Sequence, residues 1–321
     1  MIKLVYRKDA HLAGQSPQSR KDDYAESILA KLRQTVEIAE EENADALLDG
    51  GDLFHVKAPT RNPHYLTTRL IEAHYSRVRT YLTPGNHDVV YGDMQHLAQQ
   101  PLEVLFASGA IRRLYGEHEA VFERDGLKVR VVGVAYPGRE YDKSILDIKK
   151  KDEDYLVVSA HLLASSEGGS MFENEDIISY SDLKGLDASV VLFSHWHKNQ
   201  GIVEFAPGKW VVNIGALSRG SLIQDNVERT PSVAVLSFTK EGIQVVERPL
   251  KVLPADEVFD LQGRVRAEAR TMTIEDFVTH VDEMLSPTVT QSLAETVRNL
   301  PDIPEAVREK TLDYIERAKV V

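Results

Sequence analysis

Side chains that could bind a metal or move a proton occur in five short clusters along the chain. In one of them, Asn86, His87 and Asp88 lie in a turn directly after the apolar run 79–82. That run predicts a buried strand, and the proline and glycine before Asn86 predict an abrupt turn at its end. An Asn, a His and an Asp at such a position offer a metal ligand, a proton handler and a group that orients it.

Two further clusters pair their polar residues at a spacing of two. Asp9 and His11 follow the predicted strand 1–6, and His195 and His197 follow the apolar run 188–193. If the extended geometry of each strand persists, residues two apart point to the same side and both reach one cation. For either pair alone, a polar loop with a chance Asp or His remains the alternative, so the prediction depends on the other clusters.

The last two clusters place single ligands at strand ends. Asp52 follows the run 46–49 after two glycines, and His161 follows the run 154–159. The seven candidate metal ligands are Asp9, His11, Asp52, Asn86, His161, His195 and His197. The chain has no cysteine. Nitrogen and oxygen ligands with one bridging carboxylate suit two divalent cations about 3.5–4 Å apart, and manganese, iron or zinc fits such a set.

The expected chemistry is displacement at phosphorus. A phosphodiester is anionic, so attack by hydroxide requires neutralisation of the phosphate oxygens and a water acidified by the metals. His87 is expected to face the substrate, where it could stabilise the transition-state charge or protonate the leaving oxygen. Asp88 is expected to orient His87.

The elements that position these residues follow from the apolar pattern. Asp22 or Asp23 caps a predicted amphipathic helix between the first two strands, which indicates a strand, helix, strand crossover. From about residue 111 the period changes to two, and the runs 120–123 and 128–134 predict a hairpin. Beyond residue 249 helical patterns return, with a capping box at 273–276. We therefore predict a catalytic domain over 1–248 and a helical cap or partner-binding appendage over 249–321.

Some polar residues receive a structural interpretation. His64 and His74 are predicted to be surface or half-buried residues of a second helix. Arg219 lies in a glycine-punctuated turn, where a phosphate contact and a sheet corner are equally good interpretations.

Composition limits the classes of protein to which the chain can belong. Its 321 residues are 42% hydrophobic and 27% charged, as in ordinary globular proteins. The net charge of −12 argues against wholesale electrostatic capture of nucleic acid. A local basic stretch nevertheless occurs, with one acid, Glu72, among Lys57, Arg61, Arg69, Arg77 and Arg79. No apolar run approaches the roughly 18 residues of a membrane span, so we expect a cytoplasmic protein without membrane association.

Taken in order, the five clusters resemble the five motifs of the calcineurin-like metallophosphoesterase superfamily, over about residues 1–248. The resemblance implies an α/β fold, a four-layer α/β/β/α sandwich with the dinuclear site at the strand ends, here with a small C-terminal helical appendage. It implies that one metal is held by Asp9, His11, Asp52 and His197, and the other by Asp52, Asn86, His161 and His195.

Within the superfamily, residues 51–55 are similar to the second motif of SbcD-type DNA-repair nucleases. Ala13, Gly50 and Ser194 depart from the usual residues but remove no ligand. The resemblance implies manganese, an SbcC/Rad-type ATPase partner and a homodimer. It also implies that His55 lies near the scissile phosphate with His87, although His55 could instead only support the ligands.

Three functions are compatible with these residues. One is a metal-dependent DNA nuclease, both exonuclease and single-strand endonuclease, and the second is a phosphodiesterase or phosphatase for a nucleotide or another small phosphoester. The third is a non-catalytic scaffold, which the complete ligand set argues against. The motif 51–55 and the basic stretch 57–79 favour the nuclease, whereas the acidic total and the short appendage argue against it.

Overall fold

The structure, a computed structural model, describes residues 1–90, 93–166, 175–261, 297–298 and 308–312. The chain divides into two units, Met1–Leu261 and Gln262–Val321. The first unit therefore extends beyond the predicted boundary at 248/249. Residues after the last strand still belong to it, because Arg20 and Phe259 form a bridge between the two ends of this unit.

The first sheet has six strands and carries the amino-terminal half of the site. Its strands are β1 (Ile2–Arg7), β2 (Ala46–Asp49), β3 (Arg79–Leu82), β4 (Ile111–Arg113), β13 (Ser232–Phe238) and β14 (Ile243–Pro249). Their order is β14-β13-β1-β2-β3-β4. Strands β1 to β4 are parallel, β13 pairs antiparallel with the free side of β1, and β14 pairs antiparallel with β13.

The second sheet also has six strands, in the order β11-β12-β10-β7-β6-β5. They are β5 (Ala120–Arg124), β6 (Leu127–Val134), β7 (Tyr155–Ala160), β10 (Val190–Phe193), β11 (Asn199–Ala206) and β12 (Lys209–Ile214). The four central strands are parallel. The predicted hairpin is confirmed as β5 and β6, with Asp125 and Gly126 both at positive φ, as its two-residue turn requires. A short parallel pair, β8 (Ala164–Ser165) and β9 (Ile178–Ser179), lies apart.

Three helices connect the parallel strands of the first sheet. The helices of this unit are α1 (Tyr24–Glu41), α2 (His64–Ala73), α3 (Pro101–Ala107), α4 (Gln224–Glu228) and α5 (Ala255–Val258). Helix α1 is capped by Asp23, whose carboxylate accepts a bond from the Glu26 amide. It joins β1 to the parallel β2, so the predicted crossover is confirmed.

Successive side chains of a strand point alternately to the two faces of its sheet, and each face packs against a different layer. In β1, Leu4 and Tyr6 pack between the two sheets, whereas Val5 packs against the helices. The outer face of the second sheet is covered by Leu146, Leu183 and neighbouring residues of short 3-10 turns. The predicted α/β sandwich with two central sheets is thus confirmed, and in the described residues its fourth layer consists of turns.

Little of the second unit is described. Residues 297–298 and 308–312 are helical, and Val297 is buried. The predicted capping box at 273–276 lies outside the described residues. No helix in the described ranges combines the length and the apolar character that crossing a bilayer requires.

Candidate metal centre

All seven candidate ligands lie just beyond the carboxyl ends of parallel strands. Asp9 and His11 follow β1, Asp52 follows β2, Asn86 follows β3, His161 follows β7, and His195 and His197 follow β10. The two sheets therefore deliver ligands to one edge, where metallophosphoesterases were expected to hold their metals. Ligand atoms from both sheets lie within 4.8 Å of one another.

Four of these residues have a left-handed backbone: φ is 52° at Asp9, 49° at His11, 53° at Asp52 and 78° at His195. The expectation that each pair continues an extended strand is therefore wrong, because β1 ends at Arg7 and β10 at Phe193. Left-handed backbone costs on the order of 1–3 kcal/mol at a non-glycine residue and recurs at functional sites.

Backbone bonds between neighbouring loops hold this conformation. The Asp9 amide donates to the Gly51 carbonyl at 3.0 Å, and the His11 amide donates to the Asp52 carbonyl at 2.8 Å. These bonds continue the pairing of β1 with β2 past the end of the strands, so the two ligand loops are fixed to each other.

The first group of ligands surrounds His11. Ligand atoms of Asp9, His11, Asp52 and His197 lie within 4.8 Å of one another. His11 Nε2 is 2.9 Å from His197 Nε2 and 3.5 Å from Asp52 Oδ2. Three of these four side chains are buried, so the group forms a small enclosed set of nitrogen and oxygen donors.

The second group lies on the other side of Asp52. His161 Nε2 is 3.5 Å from Asp52 Oδ2 and 3.2 Å from Asn86 Oδ1, and His195 belongs to the same group. Asp52 Oδ1 accepts the His87 amide at 2.7 Å, whereas Asp52 Oδ2 is buried without a hydrogen-bond partner. A buried carboxylate oxygen in that state is unfavourable. A cation in each group would satisfy it, so the residues present fit two divalent metals bridged by Asp52.

The charges of this second group are coupled. Burial opposes ionisation of both partners, but the Asp52 carboxylate raises the pKa of His161 to about 9. Burial likewise opposes the charge of Asp52, yet His161 holds the pKa of that carboxyl well below its ordinary value. Asp52 is therefore charged, as metal binding requires, whereas His161 must release its proton to become a ligand.

His87 and His55 lie beside the first group. Their rings stack with centroids 5.2 Å apart, and His87 Nδ1 donates to the His55 carbonyl at 2.6 Å. This bond leaves His87 Nε2 available for a substrate. His55 Nδ1 is 3.3 Å from His11 Nδ1. His55 thus contacts both a predicted ligand and His87, which is compatible with a role at the phosphate or with support of His11.

Asp88 does not orient His87 as predicted. Its carboxylate accepts backbone amides from both ligand loops: Gly85 at 2.9 Å, Asp52 at 2.8 Å, Leu53 at 3.0 Å and Phe54 at 3.3 Å. Burial and the nearby Asp52 raise the pKa of Asp88 to about 7, while the amides act in the opposite direction. Asp88 therefore joins the loops after β2 and β3.

Two residues of the centre were missed by sequence reasoning. Glu175 accepts from His195 Nε2 at 2.8 Å and from the Tyr136 hydroxyl at 3.1 Å, which fixes the orientation of the His195 ring. Lys8 Nζ donates to Asp9 Oδ2 at 2.8 Å and to the Trp196 carbonyl at 2.7 Å. Lys8 could have been noticed because it adjoins Asp9, whereas no motif spacing marks Glu175.

Two clefts meet at this centre and share Lys57, His87 and His197. The first, of about 850 Å³, also borders Arg61, and none of the described residues that line it is acidic. The second, of about 890 Å³, borders both signs of charge, namely Lys57, Arg139, Lys198, Asp52, Glu175, Asp225 and Glu228.

The basic stretch that favoured DNA does not act as one surface. Of its five residues, Lys57 and Arg61 line the first cleft. Arg69 pairs with Glu72, and Arg77 donates to the Glu40 carbonyl. Arg79 lines a separate small cavity with two other arginines. The basic stretch read from the sequence therefore predicted more positive charge at the site than the folded chain places there.

Arg219 is buried and donates to the Leu253 carbonyl at 2.6 Å, so the sheet-corner interpretation of its turn holds.

The fold and the clustered His and Asp side chains are those expected of a metallophosphoesterase, and the comparison with known families agrees. Residues 9–199 match the calcineurin-like phosphoesterase family, and the chain belongs to that family. It therefore has the metallophosphoesterase fold. None of the curated proteins matches the chain at a significant level.

Several solved structures resemble this chain at low sequence identity. A protein from Staphylococcus aureus described as a 5′-nucleotidase is 17% identical, with a TM-score of 0.50 over 79% of this chain and 54% of its own. A 5′-nucleotidase precursor from Thermus thermophilus is 17% identical, with a TM-score of 0.44 over 86% of this chain and 59% of its own. An archaeal phosphodiesterase is 16% identical, with a TM-score of 0.36 over 77% of this chain and 99% of its own. The chain thus spans about half the length of the first of these proteins.

Proposed function

We propose that the chain is a metal-dependent DNA nuclease of the SbcD type, acting as exonuclease and single-strand endonuclease. The observation that carries the proposal is the meeting of two clefts at the metal centre. In a DNA strand, nucleotides are attached on both sides of the scissile phosphate. In a phosphomonoester, an organic group is attached on one side only. Two adjoining clefts suit the first kind of substrate.

The chain's own residues supply binding and proton transfer. When bound, the two cations neutralise the phosphate oxygens and acidify a water. Lys57, shared by both clefts, binds a phosphate oxygen near the scissile bond. His87 donates its Nδ1–H to the His55 carbonyl, and as an imidazolium it gives its Nε2 proton to the leaving oxygen and becomes neutral.

The first cleft binds the longer part of the strand. It carries Lys57 and Arg61 without an acidic residue among the described side chains that line it. The second cleft includes Glu175, Asp225 and Glu228, which disfavour a run of phosphates. Because of this asymmetry, we propose that the first cleft binds the polyanion and the second a short leaving segment.

The second cleft also supports the other candidate, a phosphodiesterase or phosphatase for a nucleotide or small phosphoester. Its mixed charge suits a substrate with one or two phosphates. Because Arg69, Arg77 and Arg79 lie away from the centre, the remaining positive charge is modest for a DNA-binding surface.

The metal and the partners follow from the resemblance to the SbcD-type nucleases. We propose manganese in both positions, with iron or zinc as alternatives that the nitrogen and oxygen ligands accept. An SbcC/Rad-type ATPase partner, a homodimer and a partner-binding role for residues 249–321 belong to the same proposal.

The deciding experiment compares substrates across a manganese titration. We expect cleavage of labelled single- and double-stranded DNA as well as of bis-p-nitrophenyl phosphate. Arg61→Ala should raise KM for DNA and lower the slope of log KM against log salt by about 1, because one phosphate contact is lost. KM for the small ester should not change. Arg69→Ala is the matched control, because Arg69 pairs with Glu72 outside the clefts.

The small-phosphoester function prevails if bis-p-nitrophenyl phosphate or a nucleotide is hydrolysed while both DNA substrates remain intact. Equal effects of Arg61→Ala and Arg69→Ala on DNA would contradict the assignment of the first cleft to the strand. If no substrate is hydrolysed with any metal, the non-catalytic scaffold is the remaining function.

A further inference from the structure

The loop after β12 contacts the backbone of the first metal group. Three successive amides of this loop donate to carbonyls beside the ligands: Ala216 to His197 at 2.8 Å, Leu217 to Lys8 at 2.9 Å and Ser218 to Asp9 at 3.2 Å. The loop therefore fixes the backbone of Asp9 and His197, which come from different sheets.

Three basic side chains hold the opposite side of the same loop. Lys31 Nζ donates to the Leu217 carbonyl at 3.2 Å. Arg229 donates to the carbonyls of Ala216 at 2.5 Å and Ser218 at 3.2 Å, and Arg20 donates to that of Arg219 at 2.6 Å. Four consecutive carbonyls thus accept bonds from Lys31 and these two arginines.

The two sets of bonds meet on single peptide units. In a trans peptide the carbonyl and the N–H point to opposite sides. The unit between Leu217 and Ser218 accepts from Lys31 and donates to the Asp9 carbonyl. Polarisation of a peptide by a donor at its oxygen strengthens the bond that its N–H makes. Lys31 thereby acts on Asp9 through one peptide.

Burial of the Lys31 ammonium group for this contact is energetically unfavourable. It is 3% exposed on α1, and its hydrogen bond in the described chain goes to the Leu217 carbonyl. Burial, with Arg219 and Arg20 nearby, holds the pKa of Lys31 well below its ordinary value. An apolar side chain of the same length would pack at such a position without that penalty.

We infer that Lys31 is a positioning residue for the first metal group, holding Asp9 in its left-handed conformation through the Leu217–Ser218 peptide. Asp9 has φ of 52°, and its carbonyl accepts the Ser218 amide. In the described chain no hydrogen bond of residues 216–219 reaches Asn86 or His161 of the second group. The inference rests on metal binding in the proposed function and is independent of which phosphoester is cleaved.

The test uses Lys31→Met in the full chain, which keeps length and removes the donor. Calorimetry with Mn²⁺ should show about tenfold weaker binding of one equivalent, with the other within twofold of the native value. Without metal, hydrogen exchange of the Ser218 amide should quicken about tenfold. Arg33→Met is the control, because it removes a basic residue of α1 that is exposed and paired with Glu26.

If Lys31 only stabilises the fold, we expect different results from these measurements. In that case Lys31→Met lowers the melting temperature but leaves both Mn²⁺ dissociation constants and Ser218 exchange as in the native chain, which overturns the inference. Equal weakening of both equivalents also overturns it. If Lys31→Met does not fold, Lys31→Leu, which also removes the donor, is judged by the same two measurements. Neither measurement includes a substrate, so DNA cleavage and this inference can fail separately.

Discussion

At the scale of single residues, proximity to the metal centre does not define one role. His87 stands next to Asn86 in sequence, yet its Nδ1 bonds the His55 carbonyl and its ring lies 4.8 Å from that of His11. Asp88, one residue further on, is buried under the backbone of both loops. The three neighbours in the turn are therefore a predicted ligand, a residue proposed to face the substrate and a residue that holds the loops.

Replacement of His87 separates catalysis from metal binding. We expect His87→Ala to lower kcat with bis-p-nitrophenyl phosphate by about 10² to 10⁴, the usual contribution of a positioned acid or base. Two Mn²⁺ equivalents should still bind, because His87 is not among the seven predicted ligands. Exposed His64 serves as control through His64→Ala. Full activity of His87→Ala would show that its proposed role is wrong.

At the scale of elements, a buried polar network joins α1 and α2 to the first two strands. Arg7 Nε donates to Asp49 at 2.7 Å and its Nη1 donates to Thr35 at 2.6 Å. Its Nη2 contacts His74 Nε2, and His74 Nδ1 donates to the Leu70 carbonyl at 2.7 Å. Arginine has no acceptor to offer, so His74 must be neutral here. His74, predicted to be at the surface or half buried, is in fact buried.

This network predicts a pH dependence of stability. Burial, together with Arg7, lowers the pKa of His74 to about 3, whereas the unfolded chain has the ordinary value of 6.5. Between these values the unfolded state binds a proton that the folded state does not, so stability falls as the pH falls below 6.5. The contribution of His74 amounts to about 2 kcal/mol at pH 5.

Urea unfolding at pH 7 and pH 5 measures this contribution. The loss of unfolding free energy between the two pH values should be about 2 kcal/mol smaller in His74→Gln than in the native chain, because the titrating group is gone. The control His64→Gln replaces an exposed histidine and should leave the loss of unfolding free energy unchanged. An identical loss in His74→Gln and the native chain would contradict a neutral, buried His74.

At the scale of the whole first unit, the predicted ligands come from both of its sheets. Asp9, His11, Asp52 and Asn86 come from the first sheet, and His161, His195 and His197 come from the second. Cations bound by both sets would bind the folded chain and not the unfolded one. Metal binding and stability are therefore linked.

Thermal unfolding tests this linkage. Mn²⁺ at about 100 times its dissociation constant should stabilise the fold by about 2.7 kcal/mol per site and raise the melting temperature by several degrees. A chelator should reverse the rise. Asp52→Asn should abolish it, because Asp52 lies in both ligand groups. Calorimetry that finds two intact sites in Asp52→Asn would exclude Asp52 as the bridging ligand.

Local sequence patterns were enough to predict the strands, the candidate ligands and the start of α1. Apolar runs located the strands, polar residues after them marked the candidate ligands, and Asp23 was one of two predicted caps of α1. These features depend on residues close together in the chain. The same pattern is informative about the site because parallel strands bring their carboxyl ends to one edge.

Contacts between residues far apart in the chain could not be predicted in this way and depend on the folded structure. Lys31 and Leu217 are 186 positions apart, and no periodicity links them. The left-handed conformation of Asp9, the pairing of Glu175 with His195 and the dispersal of Arg69 and Arg77 likewise depend on packing between elements. Local propensity determines at which strand end a residue lies. The hydrogen bonds between neighbouring loops determine its backbone conformation and therefore the position of its ligand atoms.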